Sequence, residues 1–301
     1  METAVAQLYT AKNFMILVTG ARGFIGRSLT NRLTLSGHKW RAYEGRINST
    51  ASLRTQLEGV ETVFHLAGAE ARGRTRLLRH IDVDGTARLL EEAKRAQVKQ
   101  IIVPSRIGAN PNSLHNLLKA KGEVERLVRQ GGISYTILRT STLYGLGDRF
   151  TEIILGLAIW SWPFVWLPGG GEVAMQPLWV EDYARCLVAC LDNDDVVNKT
   201  ITVAGDERFH YRDLVRQILS MEGVRRVNGK LPLILLRPGS AIFFGWWYWP
   251  PVSRFFVDRF FVPEVADLGS VRHYFGFRPM RLGETMSYLH RQNMRWRLFR
   301  R

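Results

Sequence analysis

Residues 16–26 read Ile16-Leu17-Val18-Thr19-Gly20-Ala21-Arg22-Gly23-Phe24-Ile25-Gly26. A β-branched apolar run gives way to glycine at every third position, and an amphipathic stretch follows. Gly20 permits a tight turn off a strand, Gly23 lets backbone approach a pyrophosphate, and Gly26 lets a helix pack closely on the strand. The start of that helix offers unpaired N–H groups and the positive end of a dipole to phosphate. The pattern follows a strand, opens a helix and precedes a second strand. Residues 14–26 are therefore expected to cradle the pyrophosphate of a nicotinamide dinucleotide, with Gly20, Arg22, Gly23, Phe24, Ile25 and Gly26 as contacts.

Downstream, short β-branched runs alternate with longer amphipathic segments. Strands are predicted at 14–19, 39–43, 61–66, 100–104 and 134–139, and helices at 24–36, 75–96 and 114–129. In the longest helix Leu77, Leu78, Ile81, Leu89, Leu90 and Ala93 are spaced for one buried face. Such alternation implies crossover connections and a parallel sheet covered on both faces. The predicted fold is α/β, a Rossmann-type doubly wound parallel sheet with a smaller C-terminal substrate lobe. The dinucleotide-binding core is read as 14–147. An aromatic-rich lobe follows over 148–271, with helices at 181–191 and 211–221 and a strand at 200–204, some of them returning to the core. Residues 272–301 are read as a basic tail.

The 301 residues are 46% hydrophobic and 23% charged, ordinary for a globular chain, but the formal net charge is +15. Segment 272–301 alone carries eight arginines against Glu284, a balance of +7. That concentration points to a negatively charged surface as partner. Cys186 and Cys190 sit four apart on a predicted helix without His or carboxylate at metal-ligand spacing. They read as buried core thiols in a reducing compartment, and neither a disulfide framework nor a metal site is predicted. Residues 1–13 contain Glu2 and no apolar run, unlike a signal peptide, and no stretch reaches the ~18 apolar residues of a spanning helix. The expected location is cytoplasmic or the matrix side of an organelle, peripheral to a membrane.

Further landmarks follow the glycine turn in order. They are Phe64-His65-Leu66-Ala67-Gly68, Ile81-Asp82-Val83-Asp84-Gly85-Thr86, Leu138-Arg139-Thr140-Ser141-Thr142-Leu143-Tyr144-Gly145 and Gln176-Pro177-Leu178-Trp179-Val180-Glu181-Asp182-Tyr183-Ala184. With the glycine turn they resemble the extended and atypical short-chain dehydrogenase/reductase superfamily, of NAD-dependent epimerase/dehydratase type. The first is similar to the family's segment beside the cofactor, which adds Leu66, Ala67 and Gly68 to the implied contacts. The second resembles Asn-x-x-Gly-Thr with Asp82 for Asn, and the third Arg-Pro-x-x-x-Tyr-Gly with Thr140 for Pro. The fourth resembles a Val-x-Asp-x-Ala element ahead of a helix. Arg149 and Phe150 after Tyr144-Gly145-x-Gly147-Asp148, and the loop 168–171, are similar to the atypical branch of the dinucleotide-binding accessory subunit of mitochondrial complex I. The resemblance covers residues 14–222.

In that superfamily a Tyr-x-x-x-Lys pair on one helix face moves the proton. The resemblance places its Lys-x-x-x-Glu on Lys121 and Glu125, so the Tyr position falls on Leu117, which carries no proton. A register two residues earlier gives His115-x-x-x-Lys119, with a side chain able to act as acid or base near neutral pH. Ser105 follows the strand where the orienting hydroxyl commonly stands. Lys121, Ser105 and His115 are thus the candidate catalytic residues, and Lys121 is also implied to hold the nicotinamide ribose. An acid after the second strand selects NAD and an arginine accepts the 2′-phosphate of NADP. Tyr43-Glu44-Gly45-Arg46 offers both. Arg46, at the place of the family's Asp, and Arg22 favour NADP over NAD, with Glu44 the opposing signal.

Trp160, Trp162 and Trp166 crowd one segment and Trp246, Trp247 and Trp249 another, with Arg237, Arg254 and Arg259 nearby. Such clusters suit an anionic membrane surface, an aromatic lobe core around a lipid-like or quinone-like substrate, or a protein-partner surface. Segment 289–301 is readable as a basic amphipathic helix. No nucleic-acid motif accompanies the charge, and none is expected as partner. The reading is an NAD(P)-binding protein without the usual Tyr, in a structural or regulatory role at a membrane or membrane protein complex. The alternative is an active NADP-dependent reductase or epimerase-like enzyme, with a non-standard acid or base and a hydrophobic or nucleotide-sugar substrate.

Overall fold

The computed structural model describes residues 14–234 and 254–289. Three readings fall outside them: that of segment 1–13, the Trp246 to Trp249 cluster, and, from residue 290 on, the helical reading of 289–301. Six parallel strands form the central sheet: β1 (Met15–Thr19), β2 (Trp40–Ala42), β3 (Val60–His65), β4 (Gln100–Arg106), β5 (Ser134–Thr140) and, returning from the lobe, Lys199–Val203. Their order is β2, β1, β3, β4, β5 and then Lys199–Val203. Chain progression reverses at β1, since β2 lies on one side of it and β3 on the other. In an open parallel sheet this switch point opens the crevice in which ligands bind, beyond the carboxyl ends of the strands.

Alternate strand residues face opposite layers. Ile16, Val18, Phe64, Ile102 and Leu138 pack with Leu29 and Leu33 of α1 (Phe24–Leu35) and with Leu187 and Val188 of the helix Val180–Ala189. Leu17, Val63, Ile101 and Ile137 pack on the other face. Their partners are Leu53 and Leu57 of α2 (Thr50–Leu57), Leu89 and Ala93 of Gly85–Arg95, and Val124 and Val128 of Asn116–Gln130. Each fully buried leucine contributes about 1.5–3 kcal/mol. Cys186 and Cys190 lie buried and unpaired by disulfide in the first layer, and burial pushes both thiols well above their ordinary range.

The expected helix 75–96 is interrupted. Thr75–Leu78 is α-helical, Arg79–Asp84 is a π-type turn, and Gly85–Arg95 resumes the α-helix. The wider turn puts Gly85 against Ile47, where a Cβ would stand 2.7 Å from Ile47 Cγ2. The short helix α2, absent from the periodicity reading, is capped by Ser49, whose hydroxyl accepts from the Ser52 N–H.

The lobe builds on the helices Thr151–Trp160 and Tyr211–Met221, with the strand Phe164–Pro168 paired in parallel to Val227–Leu231. Its core gathers Ile153, Ile154, Leu214, Ile218, Phe256 and Phe260, and from the basic C-terminal segment Leu282, Met286 and Leu289.

Helix Asn116–Gln130 presses on the loop before it. A Cβ at Gly122 would lie 2.2 Å from Asn110 C and Pro111 N, both backbone. Gly122→Ala is expected to cost about 1–3 kcal/mol, read as a lower urea midpoint. An unchanged midpoint would show that the loop yields freely.

Candidate dinucleotide site and the closed centre beside it

At the switch point, Gly20 has φ +71° and a Cβ there would meet Leu66 C at 2.8 Å, so the turn after β1 presses on the turn after β3. At Gly26 a Cβ would stand 2.2 Å from Gly20 O. The Gly23 N–H donates to Gly20 O (2.9 Å), closing the turn. Helix α1 follows Gly23 as its N-cap residue, with no capping side chain and no acid in its first turn. Its leading N–H groups have no helical acceptor, and their positive end is left to an anion. Bare backbone, a helix terminus and a closed turn fit a pyrophosphate. Gly20, Gly23, Phe24, Ile25 and Gly26 would hold it, with Leu66, Ala67 and Gly68 on the facing turn.

Beyond β2, Glu44 and Arg46 are exposed. Arg22 Nη2 stands 3.7 Å from Glu44 Oε1, and the Tyr43 hydroxyl donates to the Arg46 carbonyl (2.9 Å). The acid and the cations of the sequence reading thus share one rim, at the end where an adenosine ribose belongs.

Behind the facing turn lies a buried polar chain that the sequence did not announce. The Ala67 N–H donates to Thr19 Oγ1 (3.1 Å), and the Thr19 hydroxyl donates to His65 Nδ1 (2.8 Å). The Thr86 hydroxyl donates to the Asp82 carbonyl. Imidazole Nε2 therefore carries the proton and donates to Thr86 Oγ1 (2.8 Å). Burial, reinforced by the charge of Lys121, drives the His65 pKa down to about 3, so the ring is neutral.

The candidate catalytic residues are occupied elsewhere. Lys121 Nζ donates to Asp82 Oδ1 at 3.0 Å, and the Ala69 N–H donates to Asp82 Oδ2 at 2.8 Å. Burial alone would lower the Lys121 pKa, but Asp82 and Glu70 outweigh it and raise it. Asp82, the departure from the family's Asn, is thus the counter-ion of the lysine implied to hold a ribose. Leu117 is buried with Leu78, Ala120 and Phe255. The Ser105 hydroxyl donates to Glu125 Oε1 (2.7 Å), a buried carboxylate that also accepts from Arg139 and Arg129. In the earlier register, His115 stands against Asp258 (3.5 Å) and the ring of Phe261 (5.9 Å), while Lys119 is exposed.

Between core and lobe lies an ion network missed by sequence reasoning. Arg106, at the end of β4, donates from Nη1 to Glu70 Oε1 and from Nη2 to Glu264 Oε1 (2.6 Å). The Thr142 hydroxyl donates to Glu264 Oε2 and accepts from Arg259 Nη1 (3.2 Å), whose guanidinium lies 5.0 Å from the centre of the Phe150 ring. Burial pushes the Glu264 carboxyl up, but Arg106 and Arg259 outweigh it and hold it below the ordinary range. Glu70 is held low in the same way, by Arg106 and Lys121. A cavity of about 20 Å³ remains, lined by Arg106, Leu117, Phe255, Asp258, Arg259 and Glu264 among others. It has room for about one water molecule. Among the described residues, no three His, Cys, Asp or Glu side chains come together as metal ligands.

A model of the NAD dependent epimerase/dehydratase family matches residues 16–205. Ceramide reductase of Caulobacter vibrioides is 31% identical over 246 residues, covering 76% of this chain and 75% of that protein. The mitochondrial NADH-ubiquinone oxidoreductase 40 kDa subunit of Neurospora crassa is 21% identical over 272 residues, covering 83% and 71%. Among solved structures, MoeE5 in complex with UDP-glucuronic acid and NAD superposes with a TM-score of 0.72 at 22% identity, covering 92% of this chain and 99% of that one. At that identity the likeness speaks for the fold.

Because the neutral ring of His65 is the native form, protonating the unfolded chain favours unfolding as pH falls through the interval from 6.5 to about 3. Stability is therefore greatest above the ordinary histidine range and declines below it, by up to about 1.4 kcal/mol per pH unit. His65→Gln is expected to flatten the fall between about pH 6 and 4 in denaturant titrations. A parallel slope in the variant would overturn the assignment.

Proposed function

The chain belongs to the NAD dependent epimerase/dehydratase family, and on that premise we propose that it binds a nicotinamide dinucleotide without turning it over, in a structural or regulatory role at a membrane or membrane complex. When bound, such a cofactor supplies a donor or acceptor of hydride. The chain must supply the proton and the room for a substrate. One observation carries the reading: the residue four before Lys121 is Leu117, packed in an apolar cluster, while Lys121 itself is held by Asp82. A leucine moves no proton, and an ammonium paired with a carboxylate is poorly placed to tune one. The space beside them is spanned by Arg106 between Glu70 and Glu264. The Neurospora crassa relative, named as a subunit of a larger oxidoreductase, supports a role inside an assembly.

A second reading rests on His115 and Asp258, an imidazole and a carboxylate 3.5 Å apart, with Asp258 on the wall of the small cavity. The Caulobacter vibrioides relative, named as a reductase, favours it. The two readings separate when purified protein and reduced cofactor are offered a panel of ketones, quinones, long-chain carbonyl compounds and nucleotide sugars. The expected result is binding with no oxidation of the cofactor. Turnover that disappears in His115→Ala would establish the second reading and remove the first.

For the cofactor we favour NADP over NAD, on Arg46 and Arg22 at the rim. NADPH is expected to bind more tightly than NADH, and Arg46→Ala to weaken NADPH alone by about tenfold. Mass spectrometry of the co-purified nucleotide and titration of both forms read this directly. Equal or tighter binding of NADH would assign the rim to Glu44 and to NAD.

A further inference from the structure

The helix Thr151–Trp160 ends on an exposed tryptophan, and the chain enters the strand Phe164–Pro168 through a second. Trp160 and Trp162 are each 75% exposed, Trp166 49% and Phe164 39%, whereas Val165 and Leu167 of the same strand are buried in the lobe core. The strand therefore has one satisfied apolar face and one outward aromatic face. Val227–Leu231 lies beside it, pairing Val227 with Phe164 and Gly229 with Trp166. Val227 is also exposed. Gly229 leaves the surface open for the Trp166 ring, since a Cβ there would stand 2.7 Å from Trp166 Cε3. The rings of Phe164 and Trp166 are 5.5 Å apart.

The two segments that carry this face hold cations and no acid, with Glu152 and Glu222 just outside them. Arg225 is exposed on the neighbouring segment, Arg226 is anchored on the Ala158 carbonyl (2.6 Å), and neither 153–168 nor 223–231 contains an Asp or Glu; Lys230, paired with buried Leu167, stands on the other side of the strand. Indole rings with cations and no acid match the headgroup level of an anionic bilayer, where the ring buries its body and keeps its N–H wet. A chain of net charge +15 adds the long-range attraction that brings such a surface into reach. We propose that Trp160, Trp162, Phe164 and Trp166, with Arg225, form a docking face for an anionic lipid surface. This rests on the membrane role proposed above and names the surface and the ligand chemistry.

The test uses full-length protein and co-sedimentation with two vesicle types, phosphatidylcholine alone and an equal mixture of phosphatidylcholine with phosphatidylglycerol. The wild type is expected to sediment with the mixed vesicles and to be released by salt. Trp160→Ser with Trp162→Ser, and separately Arg225→Glu, are each expected to lower partitioning by about tenfold. Dinucleotide binding and the thermal midpoint should stay unchanged, as befits exposed positions. If wild type and both variants bind the mixed vesicles equally, this face is overturned while the membrane role stands. If the wild type binds neither vesicle, or the tryptophan variant differs only in self-association or in capture by a protein partner, lipid docking fails altogether. Dinucleotide binding without turnover is then still judged by its own assay.

Discussion

At Gly26 helix α1 lies so close to the turn after β1 that a single methyl group would stand 2.2 Å from a carbonyl oxygen. Backbone meets backbone there, and again where Gly20 meets the turn after β3. Those two approaches fix the distance between the end of β1, the start of α1 and the end of β3. The bare N–H groups, the relay through His65 and the loop that offers Ala69 to Asp82 all hang from that spacing. A larger residue at either glycine would open the crevice and pull the relay apart, because each hydroxyl in it is already aimed at one acceptor.

The second constraint is electrostatic. Taking Arg106, Glu264 and Lys121 from water is costly, and such groups persist only when their partners and hydrogen bonds are complete. Here they are nearly complete. Asp82 takes a lysine and a backbone N–H, while Glu264 takes a guanidinium and a hydroxyl. A centre paired to this degree, with Arg259 Nε the buried nitrogen left without a hydrogen bond among these groups, in the proposed reading suits a binding protein better than a proton-transfer catalyst.

The glycine turn was legible because it is local: turn, helix start and close approach are written in eleven consecutive residues. The parallel sheet was legible because strands buried on both faces read as continuous apolar runs. The ion network was not, because Arg106 and Glu264 are 158 positions apart and Thr142 and Glu264 are 122, and no periodicity joins them. Asp82 lay between these cases. Its departure from the family pattern was visible, but its meaning required the fold to bring Lys121 to it. The π-type turn around Asp82 was hidden by an apolar spacing that fits a regular helix as well. The tryptophans were conspicuous in sequence, yet burial in a core and exposure on a face leave the same letters. Only the alternation of Phe164 and Trp166 with buried Val165 and Leu167 separates them.

Arg106 also has a consequence for how the molecule comes apart. One guanidinium holds Glu70 on the nucleotide-binding side and Glu264 on the lobe side. If the two sides parted, Arg106 would keep Glu70 and lose Glu264, and Glu264 would be left with Arg259 as its charged partner. Any movement of one side against the other would have to break a buried bridge between two carboxylates, so the seam between them carries an electrostatic tie as well as apolar packing.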